Sequence, residues 1–389
     1  MVTLEYRPFS PGTLADPYPM YRRLRDEDPV HWSEPTGGWA LTRYDDVALA
    51  LSDRRFSAAG RPPQRRYGRA TTMVTADPPE HTRLRRLVSK AFTVKAVENL
   101  RPRIQEIVDG LLDAVDGDRM DIVRDFGYPL PVTVIAEMLG VPVQDRESFK
   151  RWASQGLAAI VGRLASPEDR ERAHRSGDEL RAYFQDAIAQ RRRQPRDDLV
   201  SALIAAEDEG QALSEEEVLD NCTLLITAGH ETTSSLIGNG MLALLRNPEQ
   251  LQRLRDDPGL IERAVEELLR YDPPVQAVTR RALEDIEINS HRIEAGQVVF
   301  AVVGAANRDP ARFERPDELD IGRRDNPHIG FGDGRHFCLG APLARAEAQI
   351  GMATLVRRFP RMRLAGAEAW GGNFIVRGAT SVPVALQPE

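Results

Sequence analysis

Apolar side chains recur three and four positions apart along most of the chain, which is the spacing that places them on one face of an α-helix. This pattern predicts helices over 20–28, 78–92, 96–115 and 169–193, and two more between 248 and 271. Proline precedes or opens several of these segments, where its missing N–H costs nothing because a first helical turn leaves that group unpaired. The chain is therefore predicted to be mainly helical.

One predicted helix is longer and more apolar than the others. It begins at Ser214, which stands three residues before Glu217 as in a capping box, and it continues to about Arg246. The middle of this segment is apolar on nearly every face. We therefore expect the helix to cross the core of the protein.

Strand-like alternation is confined to short segments. It predicts strands over 38–44, 286–288, 292–294 and 298–302, with Gly296 at a turn. No internal repeat or change in composition marks a boundary within the chain. The predicted fold class is a mainly α body with a small β-rich lobe, in a single domain over 1–389.

The overall charge and hydropathy limit the classes of partner. The chain has 59 acidic residues against 52 lysines and arginines, a formal net charge of −7, which argues against nucleic acid as a general partner. The first residues lack the charged start and apolar run of a signal peptide, and no stretch reaches the roughly 18–20 apolar residues that cross a bilayer. We therefore expect a cytoplasmic protein with no membrane partner.

The two cysteines of the chain, Cys222 and Cys338, exclude a disulfide framework and an all-cysteine metal site within one chain. Cys222 lies among apolar residues of the long predicted helix, so we interpret it as a small core residue. Cys338 follows a glycine-rich segment, 331–340, with the sequence FGDGRHFCLG. Three glycines in ten residues allow this backbone to turn sharply and to approach a flat partner closely.

A helix is predicted directly after Cys338, with Pro342 in its first turn. The start of a helix offers positive potential and unpaired amides, which lower the pKa of a thiol and stabilise its thiolate. Such a thiolate can be a strongly donating ligand of haem iron. The alternative is a buried cysteine that happens to follow a glycine loop.

The pattern F-G-x-G-x-H-x-C-x-G resembles the haem-binding loop of the cytochrome P-450 family, and the resemblance extends from about 16 to 384 in the family's order. It implies the family fold, with haem b between the long central helix and the loop and helix around the cysteine. Cys338 would be the axial iron ligand, and Phe331, Gly332 and Gly340 would line the haem.

The segment Ala228-Gly229-His230-Glu231-Thr232 is similar to the family's oxygen-activation motif. The resemblance implies that Ala228 and Gly229 leave room for dioxygen, that Thr232 supplies an alcohol, and that Glu231 relays protons. We expect the helix to widen here, and we interpret His230 as structural because it points about 100° away from Glu231. By itself the motif could be a glycine-weakened helix with a solvated face.

Glu267 and Arg270 match the family's E-x-x-R pair, whose spacing of three places both side chains on one helical face. The family completes this pair with a second arginine, for which Arg323 is our first choice and Arg308 the alternative. Their implied role is structural, since a buried ion pair can hold the haem loop in place.

Four further residues match family positions that bind the haem propionates: His81, Arg85, Arg280 and His336. His81 and Arg85 are four apart and therefore share a helical face. Arg281 competes with Arg280 for its assignment. A basic helix face that is simply solvated is the alternative interpretation.

The resemblance implies a monooxygenase that inserts one atom of dioxygen into an organic substrate by hydroxylation or epoxidation. An aryl-coupling oxidase, a peroxygenase and a non-catalytic haem sensor are the alternatives. We expect a small-molecule substrate from secondary metabolism, in a pocket formed by Leu224, Val275, Val278, Phe374 and Ile375. An early loop carries Arg61, Arg65, Arg66 and Arg69, which we interpret as solvated rather than as contacts of an anionic substrate.

No dinucleotide-binding G-x-G-x-x-G follows a predicted strand, so we expect electrons from NAD(P)H to arrive through a separate ferredoxin and ferredoxin reductase. Ferredoxins are acidic. We expect the protein to be a monomer and its docking surface for ferredoxin to be basic. This predicted surface consists of Arg83, Arg86, Lys90, Arg335 and Arg345.

Overall fold

A computed structural model describes residues 5–6, 8, 11–59, 72–145, 147–149, 151–152, 167–372 and 375–386 of the chain. The predicted pocket residue Phe374 and the four arginines of the early loop, Arg61, Arg65, Arg66 and Arg69, lie outside the described residues.

The helices largely follow the apolar periodicity, and the prediction of a mainly helical fold is confirmed. Their ends differ from the predicted ones by one or two residues, because end turns fray and depend on capping contacts that periodicity does not contain. The α-helices of the described residues are Pro11–Ala15, Tyr18–Glu27, Tyr44–Ser52, Glu80–Ala91, Val94–Asp113, Pro129–Met138, Pro167–Arg193, Leu199–Ala205, Glu215–Gly229, Glu231–Arg246, Pro248–Asp256, Ile261–Tyr271, Val303–Ala306 and Ala341–Arg358. A π-helical segment spans Ile122–Gly127, and short 3-10 turns span Val143–Asp145, Pro258–Leu260 and Gly334–His336.

The long predicted helix is two helices in the structure, Glu215–Gly229 and Glu231–Arg246, which we call the central helices. Its start is as predicted: the Ser214 hydroxyl accepts from the N–H of Glu217, whose carboxylate accepts from the N–H of Ser214 at 2.7 Å. The prediction of one unbroken helix was wrong. The break falls at His230, one residue after Gly229, where the absence of a side chain weakens the helix.

The strands form small sheets beside the helical body. The largest has five strands in the order Val30–Ser33, Gly38–Leu41, Val298–Ala301, Val278–Ala282 and Phe56–Ser57. In a three-stranded sheet, Pro383–Ala385 lies between Arg363–Leu364 and Arg119–Asp121 and pairs with both. The two-stranded sheets pair Ala369–Gly372 with Arg377–Ser381, Ile286–Ile288 with His291–Ile293, and Glu207–Asp208 with Gln211–Ala212.

The strand predicted over 38–44 ends at Leu41, because a helix begins at Tyr44. The backbone N–H of Tyr44 donates to the carboxylate of Asp309 at 2.8 Å, and Asp45 and Asp46 occupy the first helical turn. Negative charge stabilises the start of a helix, so these contacts override the strand-like sequence.

The largest group of buried apolar residues lies between the helices, and it includes Cys222, which has no exposed surface. A second group, which includes Val299 and Ile293, packs against the five-stranded sheet. Among the described residues, no helix combines the length and the apolar character that crossing a bilayer requires. The central helix Glu231–Arg246 contacts both Ile261–Tyr271 and Ala341–Arg358, so the three segments that carry the predicted site pack together.

Candidate active site

The cysteine loop, 331–340, is a tight turn closed by its own backbone. The N–H of Cys338 donates to the carbonyl of Phe331 at 2.9 Å. Gly332 and Gly334 have φ angles of 77° and 66°, in the left-handed region that other residues rarely adopt. A Cβ at Gly334 would also lie 2.9 Å from the Cα of Ser52. The glycines therefore allow both the turn and its close packing.

The loop presents the thiol of Cys338 at the start of the helix Ala341–Arg358, which we call the cysteine helix. The residue is accessible, although protein atoms crowd its thiol. Burial raises the pKa of the thiol, while the amides of Gly340 and Ala341 and the guanidinium of Arg85 lower it. The amides act in the predicted direction, but desolvation outweighs them and the pKa of the thiol is raised. A coordinating metal would itself deprotonate the thiol.

A cluster of basic side chains lies beside the loop, and we call His81, Arg85, Arg280 and His336 the cationic cluster. His81 and Arg280 are buried, and Arg85 and His336 are half-buried. The rings of His81 and His336 are 4.3 Å apart, centroid to centroid. His81 is 4% exposed, and neither of its ring nitrogens completes a hydrogen bond; the Nε2 of His336 also has no partner among the described residues.

Arg280 belongs to this cluster because of its burial. It is 7% exposed, and within the described part of the chain its guanidinium donates only to the carbonyl of Thr279, at 3.1 Å. Arg281 turns instead toward the carbonyl of Gly296, to which it donates at 2.6 Å. The two adjacent arginines therefore have different surroundings, and Arg280 is the one that lies near His336.

Desolvation dominates the electrostatics of the cationic cluster. It lowers the pKa of His336 to about 4 and that of Arg280 to about 10, and it lowers the pKa values of His81 and Arg85. Buried donors without acceptors are rare in folded proteins. Two carboxylates such as the haem propionates would supply acceptors for these groups, so the residues present fit that cofactor.

Asp77 is a neighbour of this cluster that the sequence analysis missed. Its charge favours the protonated forms of His81, Arg280 and His336. The carboxylate itself accepts from the hydroxyl of Ser57 and from the N–H of Ala58. Only its position before Pro78-Pro79, at the start of a predicted helix, could have marked it.

The break between the central helices exposes one short stretch of an otherwise buried segment. Ala228 is exposed, and a Cβ at Gly229 would meet only Ile135, at 3.9 Å. The hydroxyl of Thr232 donates to the carbonyl of Ala228 at 3.0 Å across the break. An alcohol is therefore held next to open space in the middle of the helical body.

At the same break, the pKa values of Glu231 and His230 are shifted in opposite directions. Burial raises the pKa of Glu231 to about 8, and it lowers the pKa of His230 to about 4. The Nδ1 of His230 bonds to the carbonyl of Ile226 at 2.7 Å, and its Nε2 lies 3.9 Å from Oε1 of Glu231. At neutral pH we therefore expect an uncharged imidazole beside a carboxyl that holds its proton.

A cavity of about 380 Å³ reaches Glu231. Tyr128, Ser234 and Thr380 contribute polar groups to its wall, and the half-exposed Ser235 lies beside them. The Oε2 atom of Glu231 is buried and has no hydrogen-bond partner among the described residues. The carboxyl thus adjoins a space from which a proton could arrive.

The helix Ile261–Tyr271, which we call the glutamate helix, carries the buried pair Glu267 and Arg270. The guanidinium of Arg270 donates to both carboxylate oxygens of Glu267 at 2.8 Å, and neither side chain has exposed surface. Arg323 donates to the same carboxylate at 3.0 Å. We call these three residues the anchoring network.

The anchoring network fixes a long segment that has no regular structure. Arg270 donates to the carbonyls of Asn307, Pro316 and Glu318 at 3.0, 2.6 and 2.9 Å. Arg308, the alternative to Arg323, instead bonds the carbonyl of Tyr271 and stacks on the rings of Tyr18 and Tyr271.

The described residues of the predicted substrate pocket, Leu224, Val275, Val278 and Ile375, are all half-buried. Val275 forms an isolated bridge to Val376, which also lines the cavity at Glu231. The N–H of Gln276 also donates to the carbonyl of Ile375 at 2.8 Å, so the segment around Val275 meets the turn at Ile375 on the side of the protein where the central helices break.

The predicted docking residues take part in contacts within the chain. Arg83 pairs with Glu80 and Glu217, and Arg345 pairs with Glu266. Arg86 and Lys90 are exposed: Arg86 lies 3.6 Å from Glu209, and Lys90 donates to a backbone carbonyl, as does the half-buried Arg335. Much of the predicted positive charge is therefore offset locally.

Comparison with known proteins gives a consistent result over nearly the whole chain. The family model of cytochrome P450 matches residues 30–258 and 259–362. The cytochrome P450 monooxygenase PikC of Streptomyces venezuelae is 42% identical over 387 aligned residues, which cover 95% of this chain and 91% of PikC.

Solved structures agree with this match. The bacillaene polyketide synthase cytochrome P450 PksS of Bacillus subtilis 168 has a TM-score of 0.93 at 40% identity, covering 98% of this chain and 100% of that one. P450BioI, solved in complex with an acyl carrier protein ligated to hexadec-9Z-enoic acid, has a TM-score of 0.91 at 40% identity, covering 96% and 98%.

Proposed function

The chain belongs to the cytochrome P450 family, whose members are oxidoreductases that use haem, and from this premise we propose that it is a haem-thiolate monooxygenase. It would insert one atom of dioxygen into an organic substrate by hydroxylation or epoxidation. Cys338 would bind the iron, and the cationic cluster would bind the propionates. Phe331, Gly332 and Gly340 would line the haem.

One observation carries this proposal: the accessible thiol of Cys338 lies beside the cationic cluster, whose buried ring nitrogens have too few hydrogen-bond partners among the described residues. A protein that only had to fold would gain stability by replacing buried unpaired donors with apolar side chains. The arrangement is reasonable if a dianionic cofactor supplies the acceptors. Bound haem would contribute an iron that binds dioxygen, with thiolate donation favouring cleavage of the O–O bond.

The residues at the helix break would control proton delivery. Glu231 holds a proton near neutral pH, because burial raises its pKa to about 8, and it adjoins a mainly apolar cavity whose wall carries a few polar groups. We propose that Glu231 takes up protons from this cavity and passes them toward Thr232. The hydroxyl of Thr232 is held by the Ala228 carbonyl, which fixes its position at the open face of the helix.

We propose a large, mainly apolar intermediate of secondary metabolism as the substrate. Two relatives support this class: one belongs to a bacillaene polyketide synthase, and the other was solved in complex with a fatty-acyl carrier protein. Half-buried apolar side chains at Leu224, Val275, Val278 and Ile375 would contact the substrate. The substrate reaches the enzyme either free or bound to a carrier protein. Measuring turnover of the same acyl chain in both forms would distinguish these two alternatives.

Electrons would come from NAD(P)H through a ferredoxin and its reductase in the cytoplasm. Family members receive NAD(P)H electrons through redox partners, and this chain has no dinucleotide fingerprint after a predicted strand. Arg86 and Lys90 are the members of the predicted surface that are exposed, and Arg335 donates to a backbone carbonyl rather than to a carboxylate. We therefore propose that docking depends on these three more than on Arg83 and Arg345.

The test of the proposed function is the absorption spectrum of the purified, reduced protein before and after carbon monoxide is added. A strongly red-shifted Soret band that is lost in Cys338→Ala would support thiolate-ligated haem. An ordinary carbon-monoxide spectrum from folded protein would contradict the ligand assignment.

The rival activities differ in what they consume. Thr232→Ala should lower the fraction of NAD(P)H oxidation that yields product, with the remainder released as hydrogen peroxide. A peroxygenase would turn over with peroxide and need no ferredoxin, and its product yield would not depend on Thr232. Product analysis separates ring coupling from hydroxylation.

A further inference from the structure

Glu266 precedes Glu267 on the glutamate helix but faces a different part of the molecule. Its carboxylate accepts two hydrogen bonds from Arg345 of the cysteine helix, both at 2.7 Å. Hydrogen bonds from Arg345 and His328, together with the charge of Arg345, outweigh desolvation and lower the pKa of Glu266 to about 2. The carboxylate is therefore charged at neutral pH, and the pair joins the glutamate helix to the cysteine helix.

Arg345 also contacts the cysteine loop directly. Its guanidinium carbon lies 4.6 Å from the centroid of the Phe331 ring, within the range of a cation–π interaction. The carbonyl of Phe331 accepts the N–H of Cys338 at 2.9 Å. Phe331 therefore links Arg345 to Cys338: its ring contacts the guanidinium, and its carbonyl accepts the backbone N–H of the cysteine.

His328 provides a second connection, ahead of the loop. Its Nδ1 accepts the N–H of Gly330 at 3.1 Å, so the ring proton of the neutral imidazole is on Nε2. Nε2 donates to Glu266 at 3.0 Å. Glu266 therefore binds residues on both sides of the loop that carries Cys338.

The charges of this group reach the sulfur. Arg345 favours the thiolate of Cys338, and Cys338 in turn favours the charged guanidinium. Glu266 lies on the other side of that guanidinium and offsets its charge. A carboxylate that is half-buried is screened less than one at the surface, so its removal should be felt at the sulfur.

We propose that Glu266 is a positioning residue that holds the cysteine loop from both ends and, by offsetting Arg345, sets the reduction potential of the thiolate-ligated haem. This inference rests on the proposed function. Arg345, which the sequence analysis assigned to ferredoxin docking, is on this view part of the thiolate support. Glu267 fixes a loop that precedes the site, whereas Glu266 acts on the ligand loop itself.

The potentials of two single variants should move in opposite directions. Glu266→Gln keeps the shape but leaves the charge of Arg345 uncompensated near the sulfur. Because positive charge favours the reduced, more negative haem, its potential should rise. Arg345→Gln removes that positive charge, so its potential should fall. The double variant should lie closer to the parent than either single variant.

The experiment is a spectroelectrochemical titration of the haem-loaded parent, the two single variants and the double variant, with carbon-monoxide spectra of each. Both single variants should also show a smaller fraction of the red-shifted Soret band, because the loop is held at fewer points. Arg358→Gln is the matched control: Arg358 lies at the far end of the same helix and pairs with Asp113. Its potential should match the parent's.

Arg345→Lys covers the case in which a neutral variant does not retain haem. Lysine keeps the charge but loses the two-point contact, so the potential should stay near the parent's while the red-shifted fraction falls. Shifts of the same sign in Glu266→Gln and Arg345→Gln, or shifts no larger than the control's, would overturn the inference. A parent that lacks the red-shifted band would instead refute the proposed function.

Discussion

Two groups of polar side chains in the interior of this protein have opposite hydrogen-bonding states. In the anchoring network, Glu267 accepts from Arg270, Arg323 and the N–H of Asp320, and Arg270 uses its remaining donors on three backbone carbonyls. In the cationic cluster, both ring nitrogens of His81 and the Nε2 of His336 have no hydrogen-bond partner among the described residues.

The difference separates structural charges from charges that await a ligand. A buried ion is tolerated when its partners satisfy it, and the anchoring network meets that condition within the chain. The cationic cluster meets it only when acceptors come from outside. Burial alone would not have distinguished the two groups, since Arg270 and Arg280 are 0% and 7% exposed.

Breaking the anchoring network should have the largest effect. Glu267→Gln leaves Arg270 and Arg323 with buried, uncompensated charge, so we expect the free energy of unfolding to fall by about 3–5 kcal/mol. Denaturant unfolding monitored by circular dichroism measures this loss. Glu262→Gln, an exposed change on the same helix, should lower it by less than about 0.5 kcal/mol. Equal losses in the two variants would contradict the structural role.

Removing a member of the cationic cluster should weaken haem binding without weakening the fold. Arg280→Met removes a charge-assisted hydrogen bond to a propionate, so we expect haem to dissociate roughly ten- to a hundredfold faster. Transfer of haem to apomyoglobin measures this rate. The haem-free protein should be as stable as the parent or slightly more stable, because a buried charge whose one acceptor among the described residues is the carbonyl of Thr279 is gone.

Arg281→Met is the control for that comparison, since Arg281 binds only the carbonyl of Gly296 among the described residues. Its rate of haem loss should equal the parent's. A destabilised haem-free Arg280→Met protein would show that the arginine also serves the fold.

Glu231 should give a pH-dependent effect of intermediate size. Its pKa is raised from 4.5 to about 8, so the folded state binds a proton more tightly than the unfolded state does. Stability should therefore fall as pH rises from about 4.5 through about 8, and Glu231→Gln should remove this part of the dependence. Product formation in the parent should decline over the upper part of the same range, as the carboxyl loses its proton.

Unfolding measured at about pH 6 and about pH 9 compares the two proteins on either side of the pKa. The stability of the parent relative to Glu231→Gln should decrease between these values. Glu249→Gln, exposed on another helix, should follow the parent. Parallel pH profiles for the parent and Glu231→Gln would refute the raised pKa.

The exposed charges should have the smallest effect on stability. Arg86 is 46% exposed, so Arg86→Glu should change the free energy of unfolding by less than about 1 kcal/mol. It should raise the KM for ferredoxin several-fold at low salt, because the proposed docking surface loses positive charge. Steady-state kinetics at two ionic strengths measure this change. An effect that does not shrink with added salt would argue against an electrostatic contact.

The sequence predicted those features of the fold that depend on local chemistry. The start of the first central helix, after Ser214, could be predicted because a capping box depends on only four consecutive residues. The two helices after Pro248 and the turn at Gly296 were also predicted. The family resemblance and the mainly helical fold with small sheets are confirmed by the matched relatives and by the structure.

Features that depend on distant partners were not foreseeable. Tyr44 begins a helix because Asp309 accepts its N–H from the far end of the chain. Arg345 looked like a surface residue because the sequence does not indicate that Glu266 lies opposite it. The net pKa of Cys338 depends on a balance between amides and burial that spacing alone cannot weigh.

The bonds from Arg270 to three backbone carbonyls have a consequence for the evolution of chain length. The segment from 307 to 333 contains no helix or strand, and such segments usually tolerate insertions and deletions between homologues. Here one buried guanidinium fixes the backbone at Asn307, Pro316 and Glu318. Any insertion between these points must bulge outward without moving them. Variation in length should therefore concentrate in other loops, and this irregular segment should keep its length as strictly as a core strand does.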